Sequence, residues 1–188
     1  MTKIVLYIAA SLDNYIARPD GDVEWLHSPD YSLPNEDYGY NDFYKTIDTT
    51  LMGNSTYEVT LGFDGPFPYP DKTNYVFSRS TYNQDTEYVK FITGDIADFV
   101  RQLKNDKGQD IWLIGGGQIN TLLLNNDLID KIILTLIPMT LGQGIPLFDG
   151  QTKETKFDLE TSESYDSGLV QLTLKKKKYM PLTKAKKT

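Results

Sequence analysis

The chain has 188 residues, of which 39% are hydrophobic and 24% charged, the proportions of an ordinary globular protein rather than a disordered one. It contains no cysteine, which excludes disulfides, thiolate nucleophiles and cysteine-ligated metals, and no apolar run approaches the ~20 residues of a membrane helix. The length predicts a single domain over residues 1–175, and we expect a cytoplasmic protein without a membrane partner.

The net charge of −7 is unevenly distributed along the chain. The last fourteen residues, from Lys175, contain seven lysines and no acid. Because these lysines contribute +7, residues 1–174 carry −14, and so acidic a body should repel nucleic acid. We interpret Lys175 to Lys178 as the end of an edge strand and residues 176–188 as a basic C-terminal tail. Contact of the tail with RNA or anionic lipid is the alternative.

Predicted strands and helices alternate along the first half of the chain. In chain order we predict a strand ending near Ala10, a loop over 18–35, a helix carrying Phe43, Tyr44 and Ile47, a strand over 50–52, a helix from about Ser55, a Gly/Pro-rich loop over 62–70, and strands over 75–77 and 88–92. We predict a strand at the start of the chain rather than a signal peptide, because the apolar segment runs directly into a patterned turn.

The second half continues the alternation and indicates the fold class. We predict a helix over 95–105 from its apolar spacing, a buried strand over 111–114, a helix over 118–125, a strand over 131–137, and a half-buried antiparallel strand over 170–175. These elements predict an α/β fold with a mixed, mostly parallel central sheet flanked by helices and antiparallel strands at the C-terminal side.

Three glycines, Gly115 to Gly117, join the buried strand to a helix. Glycine lets the backbone approach a ligand that any Cβ would block, and a helix N-terminus offers N–H groups and a positive dipole end to a pyrophosphate. The spacing is neither GxGxxG nor a P-loop, and a tight turn without a ligand is the alternative interpretation.

Two further predicted strands also end in residues that could bind a phosphate group. After Gly53, Asn54 or Ser55 can cap a helix, with Glu58 placed for a capping box with Ser55. The third strand ends in the tripeptide 78–80, Ser-Arg-Ser, whose hydroxyls and guanidinium would suit a phosphate monoester such as the 2′-phosphate of NADPH. Taken alone, the first segment would favour a plain helix cap, and a surface loop is the alternative interpretation of the tripeptide.

The segments "IAASLDNYIA", "LMGNSTYE", "VFSRS", "WLIGGGQI" and "ILTLIPMTLGQGIPLF" occur in an order that resembles the dihydrofolate reductase superfamily. The chain is most similar to the riboflavin-biosynthesis reductase (RibD C-terminal-like) branch in its stand-alone form, over about residues 3–175. The resemblance implies a dihydrofolate-reductase-like fold and an NADPH-dependent reductase. Such an enzyme transfers a hydride to a small planar heterocycle, pterin-like or pyrimidine-like. It also implies a possible homodimer.

The resemblance also implies the site residues. The implied cofactor-binding residues are Ala9, Ala10, Ile16, Gly53, Asn54, Ser55, Thr56, Ser78, Arg79, Gly115, Gly116, Gly117, Gln118 and Ile119. The loop over 17–25 would close over the nicotinamide, and Trp25, Glu36 and Ile114 would contact the substrate. The implied catalytic residues are Thr135, facing the substrate, and an acid. No metal is implied.

The position of the acid depends on where the counting starts. Counting back from Met52 and Gly53 gives Asp37, whereas counting forward from Leu33 and Pro34 gives Glu36. We prefer Asp37, because loop lengths vary more than the spacing from helix to strand. An acid at a helix N-terminus, favoured by the helix dipole, is the alternative role.

Two positions depart from the family pattern. Most members have a basic residue where this chain has Asn54, which weakens the preference for NADPH over NADH and leaves more of the discrimination to Arg79. Asn14 replaces a glycine, and asparagine is the residue after glycine that best adopts a positive φ. The only histidine, His27, lies in a loop, and we interpret it as a surface residue.

Two alternative functions stay open. The first is the reductase step of riboflavin biosynthesis on a ribosylated pyrimidine. It is disfavoured because residues 17–46 contain only Arg18 and Lys45 as cations to bind a ribose phosphate. The second is a catalytically silent nucleotide-binding protein, which the missing basic residue at Asn54 and the uncertain acid both favour.

Overall fold

A computed structural model describes residues 2–31 and 33–177 of the chain. The strands are β1 (Ile4–Ser11), β2 (Tyr15–Ala17), β3 (Ile47–Gly53), β4 (Thr73–Phe77), β5 (Val89–Ile92), β6 (Asp110–Gly115), β7 (Lys131–Ile137), β8 (Ile145–Pro146), β9 (Phe157–Ser164) and β10 (Val170–Lys176). The α-helices are α1 (Tyr40–Lys45), α2 (Asn54–Leu61), α3 (Ile96–Leu103) and α4 (Gly117–Asn125). Two short 3-10 helices, Glu24–His27 and Pro29–Tyr31, lie between β2 and α1.

Eight strands form one sheet in the order β5-β4-β3-β6-β1-β7-β10-β9, and β2 pairs with β8 separately. The neighbours from β5 to β7 are parallel, whereas β10 is antiparallel to both β7 and β9. The parallel strands require crossover connections, which usually contain a helix. The helices α1, α2, α3 and α4 lie in four of these connections, whereas β4 is joined to its parallel neighbour β5 by residues 78–88, which contain no helix. This arrangement confirms the predicted fold class. No helix in the described ranges is long and apolar enough to cross a membrane.

The centre of the sheet opens at the carboxyl ends of two of its strands. The pairing of β1 with β6 ends at Leu6 and Leu113, whereas its pairing with β7 continues to Ser11 and Ile137. Among the described residues, the end of β1 therefore has a strand partner on one side only. Ligands of open α/β sheets bind in crevices at such carboxyl edges.

The two faces of the sheet bury separate hydrophobic clusters. Ile4 and Leu6 of β1 are fully buried on the face that carries α3 and α4. Val5, with Trp112 of β6, packs on the opposite face against α1. Successive side chains along β1 point to opposite faces of the sheet, so every second residue of β1 lies on the same face.

Several predictions about single elements were wrong. Ile47 lies in β3 and is fully buried, because α1 ends at Lys45. The capping box is not formed: α2 begins at Asn54 with Gly53 as its N-cap, and the Asn54 amide donates instead to Glu58 Oε1 at 2.7 Å.

The C-terminal strands also differ from the prediction. The strand that ends in Lys175 and Lys176 lies between β7 and β9, and β9 is the edge strand. Lys177 continues the contact through its N–H, which donates to Lys156 O at 2.8 Å. Lys178 and the rest of the predicted tail lie outside the described residues.

Candidate active site

Two glycine-containing turns lie side by side at the carboxyl edge, because β3 and β6 are neighbouring strands. The Thr56 hydroxyl donates a hydrogen bond to Gly115 O at 3.3 Å and joins the two turns. A Cβ at Gly116 would lie 3.1 Å from Thr56 Oγ1, and one at Gly53 would lie 3.2 Å from Ile119 Cγ1. The two turns therefore pack backbone against side chain, with little room for a larger residue.

The helices that follow these turns begin without a side-chain cap. Their N-caps are Gly53 for α2 and Gly116 for α4, and no described side chain accepts from their first N–H groups. In α3, by contrast, Asp95 accepts from the N–H of Asp98 at 2.9 Å. Two uncapped N-termini at one edge offer several N–H donors and two positive dipole ends to an anion.

The predicted Ser-Arg segment lies beside these turns. The Arg79 guanidinium donates to Gln118 Oε1 at the start of α4. The Asn83 amide donates to Asn54 Oδ1 and to Ser78 Oγ, both at 3.0 Å. The structure therefore brings the three predicted cofactor segments together. Asn83 was not predicted, because an asparagine in a turn carries no signal of its own.

The third glycine of the triplet has a different environment from the other two. A Cβ at Gly117 would lie 2.3 Å from Pro146 O and 3.0 Å from Asp149 Cβ. Its carbonyl accepts from Asp149 N at 3.1 Å, and the Asn120 amide donates to Leu147 O at 2.8 Å. Gly117 therefore packs against the segment around β8. Gly115 and Gly116 adopt φ +116 and +98, which L-residues rarely do.

The loop predicted to close over the cofactor, residues 17–25, is held at its first residue and near its middle. Ala17 of β2 pairs with Ile145 of β8, where a Cβ at Gly144 would lie 2.2 Å from Ala17 O. Asn14, in the turn before β2, adopts φ +63, as predicted for the residue that replaces glycine. A Cβ at Gly21 would lie 3.3 Å from Val59 of α2, so the loop also lies against that helix.

On the α1 face, a row of three residues crosses β1, β7 and β10. Thr135 is directly opposite Ala9 on one side and Gln171 on the other. The Gln171 amide nitrogen donates to Thr135 Oγ1 at 3.1 Å and to Tyr38 O at 3.0 Å. Thr135 is only 7% exposed and Gln171 only 9%, so this is a nearly dry polar group beside the small side chain of Ala9.

Aromatic side chains enclose this row. The Tyr7 hydroxyl donates to Tyr38 O at 3.1 Å, and its ring stacks on Phe43 with centroids 4.4 Å apart. Burial raises the pKa of Tyr7 to about 12, so the hydroxyl stays protonated as a donor. Trp25 packs in the same cluster as Ala9, and its buried Nε1 has no hydrogen-bond partner among the described residues.

The remaining predicted residues divide between the two faces and the surface. Ile114 packs on the same face as Tyr7. Ile16 packs on the opposite face, and Ala10 is fully buried, so that only its backbone could meet a ligand. Ser55 is exposed at the start of α2. The exposed Glu36 accepts from Tyr38 N at 2.8 Å.

The preferred acid, Asp37, lies on the surface at the start of α1. Its carboxylate accepts from the N–H groups of Asn41 and Gly39, both at 3.0 Å. These hydrogen bonds hold the pKa of Asp37 below its ordinary value, so the group is ionised at neutral pH and has no proton to donate. The geometry therefore gives Asp37 a capping role, and its catalytic role stays a prediction.

The variant Asp37→Asn separates the two roles. We expect turnover close to that of the wild type, because asparagine keeps one of the two hydrogen bonds through its single Oδ1 and caps a helix about as well as aspartate. Steady-state NADPH oxidation with a reducible heterocycle is the measurement. Loss of a proton-transferring group would instead lower turnover ~100-fold or more, and that result would restore Asp37 to the mechanism.

His27 is exposed, in agreement with its interpretation as a surface residue. Within residues 2–31 and 33–177, no group of three or more His, Asp or Glu is placed to hold a metal ion.

Sequence comparisons identify one matching family and two related proteins. Residues 2–171 match the RibD C-terminal domain family. YwjB of Bacillus subtilis strain 168, an uncharacterized protein, is 44% identical over 163 residues, which cover 87% of this chain and 92% of that protein. YyaP of the same strain, also uncharacterized, is 31% identical over 181 residues, with coverage of 90% and 93%.

Three solved structures share the fold. A putative riboflavin biosynthesis protein from Shewanella sp. PV-4 superposes with a TM-score of 0.81 at 32% identity, covering 95% of this chain and all of that one. A diaminohydroxyphosphoribosylaminopyrimidine deaminase/5-amino-6-(5-phosphoribosylamino)uracil reductase from Thermotoga maritima gives 0.70 at 16% identity, covering 93% of this chain and 56% of that one. Dihydrofolate reductase from Enterococcus faecalis, complexed with NADP(H), gives 0.67 at 17% identity, with coverage of 94% and 97%.

Proposed function

Because the chain belongs to the RibD C-terminal domain family, we propose that it is an NADPH-dependent reductase acting on a small planar heterocycle, pterin-like or pyrimidine-like. One observation carries the proposal. The uncapped N-termini of α2 and α4 are joined through Thr56 and Gly115 and lie next to Arg79. This group of donors fits a ligand that carries both a diphosphate and a further phosphate.

The cofactor would extend along the carboxyl edge of the sheet. The N–H groups at the starts of α2 and α4 would bind the diphosphate, while Ser78 and Arg79 would bind the 2′-phosphate. The backbone of Ala9 and Ala10 lies where β1 has lost β6 as a partner, and it would flank the nicotinamide. NADPH, when bound, supplies the hydride.

The protein's own contribution is to hold the heterocycle and exclude water. Thr135 presents its hydroxyl in the row beside Ala9, while Ile114 and Trp25 belong to the hydrophobic clusters of the same face. Fixing the acceptor carbon against the nicotinamide in a dry site removes most of the entropic cost of a two-molecule reaction. Thr135 would orient the ring through its hydroxyl.

The pairing of Arg18 and Lys45, the two cations of residues 17–46, favours an uncharged heterocycle. Arg18 Nε is 3.0 Å from the Asp22 carboxylate, and Lys45 Nζ is 2.8 Å from that of Asp42. Both cations therefore have an acidic partner already. The riboflavin-biosynthesis step on a ribosylated pyrimidine is the second candidate, and it is favoured by the 32% identity to the Shewanella protein.

A thermal-shift titration with NADPH and NADH in parallel tests the proposal first. Cofactor at ~100 Kd adds about 2.7 kcal/mol to the free energy of unfolding, which raises Tm by ~5–10 °C for a domain of this size. We expect the larger shift with NADPH. NADPH oxidation is then measured with a dihydropterin and with a ribosylated pyrimidinone, which separates the two candidate substrates.

The outcomes separate the functional classes. No shift with either nucleotide would mean that the glycine turns are purely structural, and the reductase proposal would be dropped. A clear shift without oxidation of NADPH by any heterocycle would favour the catalytically silent nucleotide-binding protein.

A further inference from the structure

Gln171 is a buried polar residue in the row that it forms with Ala9 and Thr135 on the α1 face of the sheet. It lies on β10, in the antiparallel part of the sheet, and no sequence motif marked it. Its side chain is 9% exposed, and it is held between Thr135 and the backbone of Tyr38. A buried amide in this position needs a reason beyond packing, because an apolar side chain of the same length would avoid the desolvation of a polar group.

The hydrogen bonds of Gln171 determine which of its atoms is available. Its amide nitrogen must face Tyr38 O, since a carbonyl accepts and cannot donate. The second N–H faces Thr135 Oγ1, and the Tyr7 hydroxyl oxygen is a further acceptor of the same amide nitrogen. Both donors are then used, and no described residue donates to the remaining atom, Gln171 Oε1. Thr135 accepts from Gln171, so its own hydroxyl hydrogen is free to be donated to another acceptor.

The backbone of Tyr38 is held in a strained conformation that supports this orientation. Tyr38 has φ +54, a left-handed conformation that is unfavourable for a non-glycine residue. Its carbonyl accepts from both Tyr7 Oη and Gln171 Nε2. Its own hydroxyl donates to Tyr31 O, and its ring packs edge-on against Tyr165 at 4.8 Å. The loop is thus fixed at several points, and it fixes Gln171 in turn.

We propose that Gln171 determines substrate specificity by accepting the ring N–H of a cyclic amide while Thr135 donates to the adjacent ring carbonyl. An acceptor beside a donor on neighbouring strands is complementary to a lactam edge, which presents N–H beside C=O. An aminopyrimidine edge presents a ring nitrogen lone pair where the lactam has its N–H, and this lone pair faces Gln171 Oε1 unfavourably. The assignment rests on the proposed function, because it places a heterocycle against this row.

The test compares two probes that differ only at this edge, 6-methylpterin and 2,4-diamino-6-methylpteridine. Their affinities are measured by fluorescence titration of the NADPH-loaded protein. We expect the wild type to prefer the pterin by ~10-fold, the factor of a single neutral hydrogen bond of about 1.4 kcal/mol. Gln171→Met keeps the length of the side chain and removes the acceptor. This variant should therefore bind the two probes with about equal affinity, and it should still bind NADPH with wild-type affinity.

Thr135→Val is the second variant and removes only the donor hydroxyl from a side chain of the same shape. It should weaken pterin binding ~5- to 10-fold, and it keeps the proposal testable if Gln171→Met fails to fold. If the wild type binds NADPH but shows no preference between the probes, or if Gln171→Met keeps the full preference, the assignment is overturned and the cofactor proposal stands. Failure of the wild type to bind NADPH overturns the proposed function and this assignment with it.

Discussion

Gly117→Ala is expected to lower the free energy of unfolding by about 3 kcal/mol, a loss of ~6–12 °C in Tm. The added Cβ would lie 2.3 Å from Pro146 O, which is backbone and cannot rotate away. To relieve the contact, the segment around β8 would have to move. That movement would also stretch the bonds from Asp149 N to Gly117 O and from the Asn120 amide to Leu147 O. Urea unfolding of both proteins measures the loss.

Gly142→Ala is the control for this experiment. Gly142 has φ +77 but no atom within 4 Å of its Cβ position, so only backbone strain of about 1 kcal/mol is expected. Gly117 has no positive φ, so its loss is steric, and it should exceed the loss from backbone strain alone in Gly142→Ala. Equal losses would contradict the close packing of α4 against the β8 segment.

Arg79→Ala is expected to weaken NADPH binding about 10- to 100-fold and to leave NADH binding unchanged. Hydrogen bonds to a charged group contribute about 1.5–3 kcal/mol, and this factor follows from their loss. Arg79 is the only cation in the three cofactor segments, since Asn54 occupies the position where a basic residue would share the task. Isothermal titration with both nucleotides at two salt concentrations measures the effect, which added salt should reduce.

Arg101→Ala is the matched control. Arg101 is also an exposed arginine on this acidic protein, but it pairs with Asp98 within α3 and donates to Asn126. Its loss should leave both affinities as they were. If Arg79→Ala binds NADPH as tightly as the wild type, Arg79 does not bind the 2′-phosphate. Ser78 and Asn83 would then be the remaining candidates for that contact, or the contact would be removed from the proposal.

The parallel part of the fold could be predicted from the sequence because its strands are buried. The prediction of a strand over 131–137 has the bounds of β7, since an apolar run interrupted only by Thr135 follows Lys131 and ends at Pro138. β9 was missed because nearly all of its residues are exposed. Pairing with β10, rather than burial, holds it in place, and pairing leaves no hydrophobic alternation to recognise.

Local spacing also misled the prediction where a helix meets a strand. Phe43, Tyr44 and Ile47 fit one helical face, yet the chain turns at Thr46 and Ile47 begins β3. The two glycine-containing turns after β3 and β6 were predictable from the sequence, since each turn joins a strand to a helix within a few residues. The row through Thr135 and Gln171 was not, because it depends on the register of two strands 36 residues apart.

The central position of β1 also governs the order in which the chain can fold. β1 is synthesised well before its sheet neighbours, because β6 and β7 begin only at Asp110 and Lys131. Until β6 has been made, more than a hundred residues after β1 begins, this apolar strand has no native partner on either side. Contacts this distant in sequence slow folding and leave nascent chains prone to aggregation. The sheet is therefore expected to form late and in one concerted step, once β7 is available.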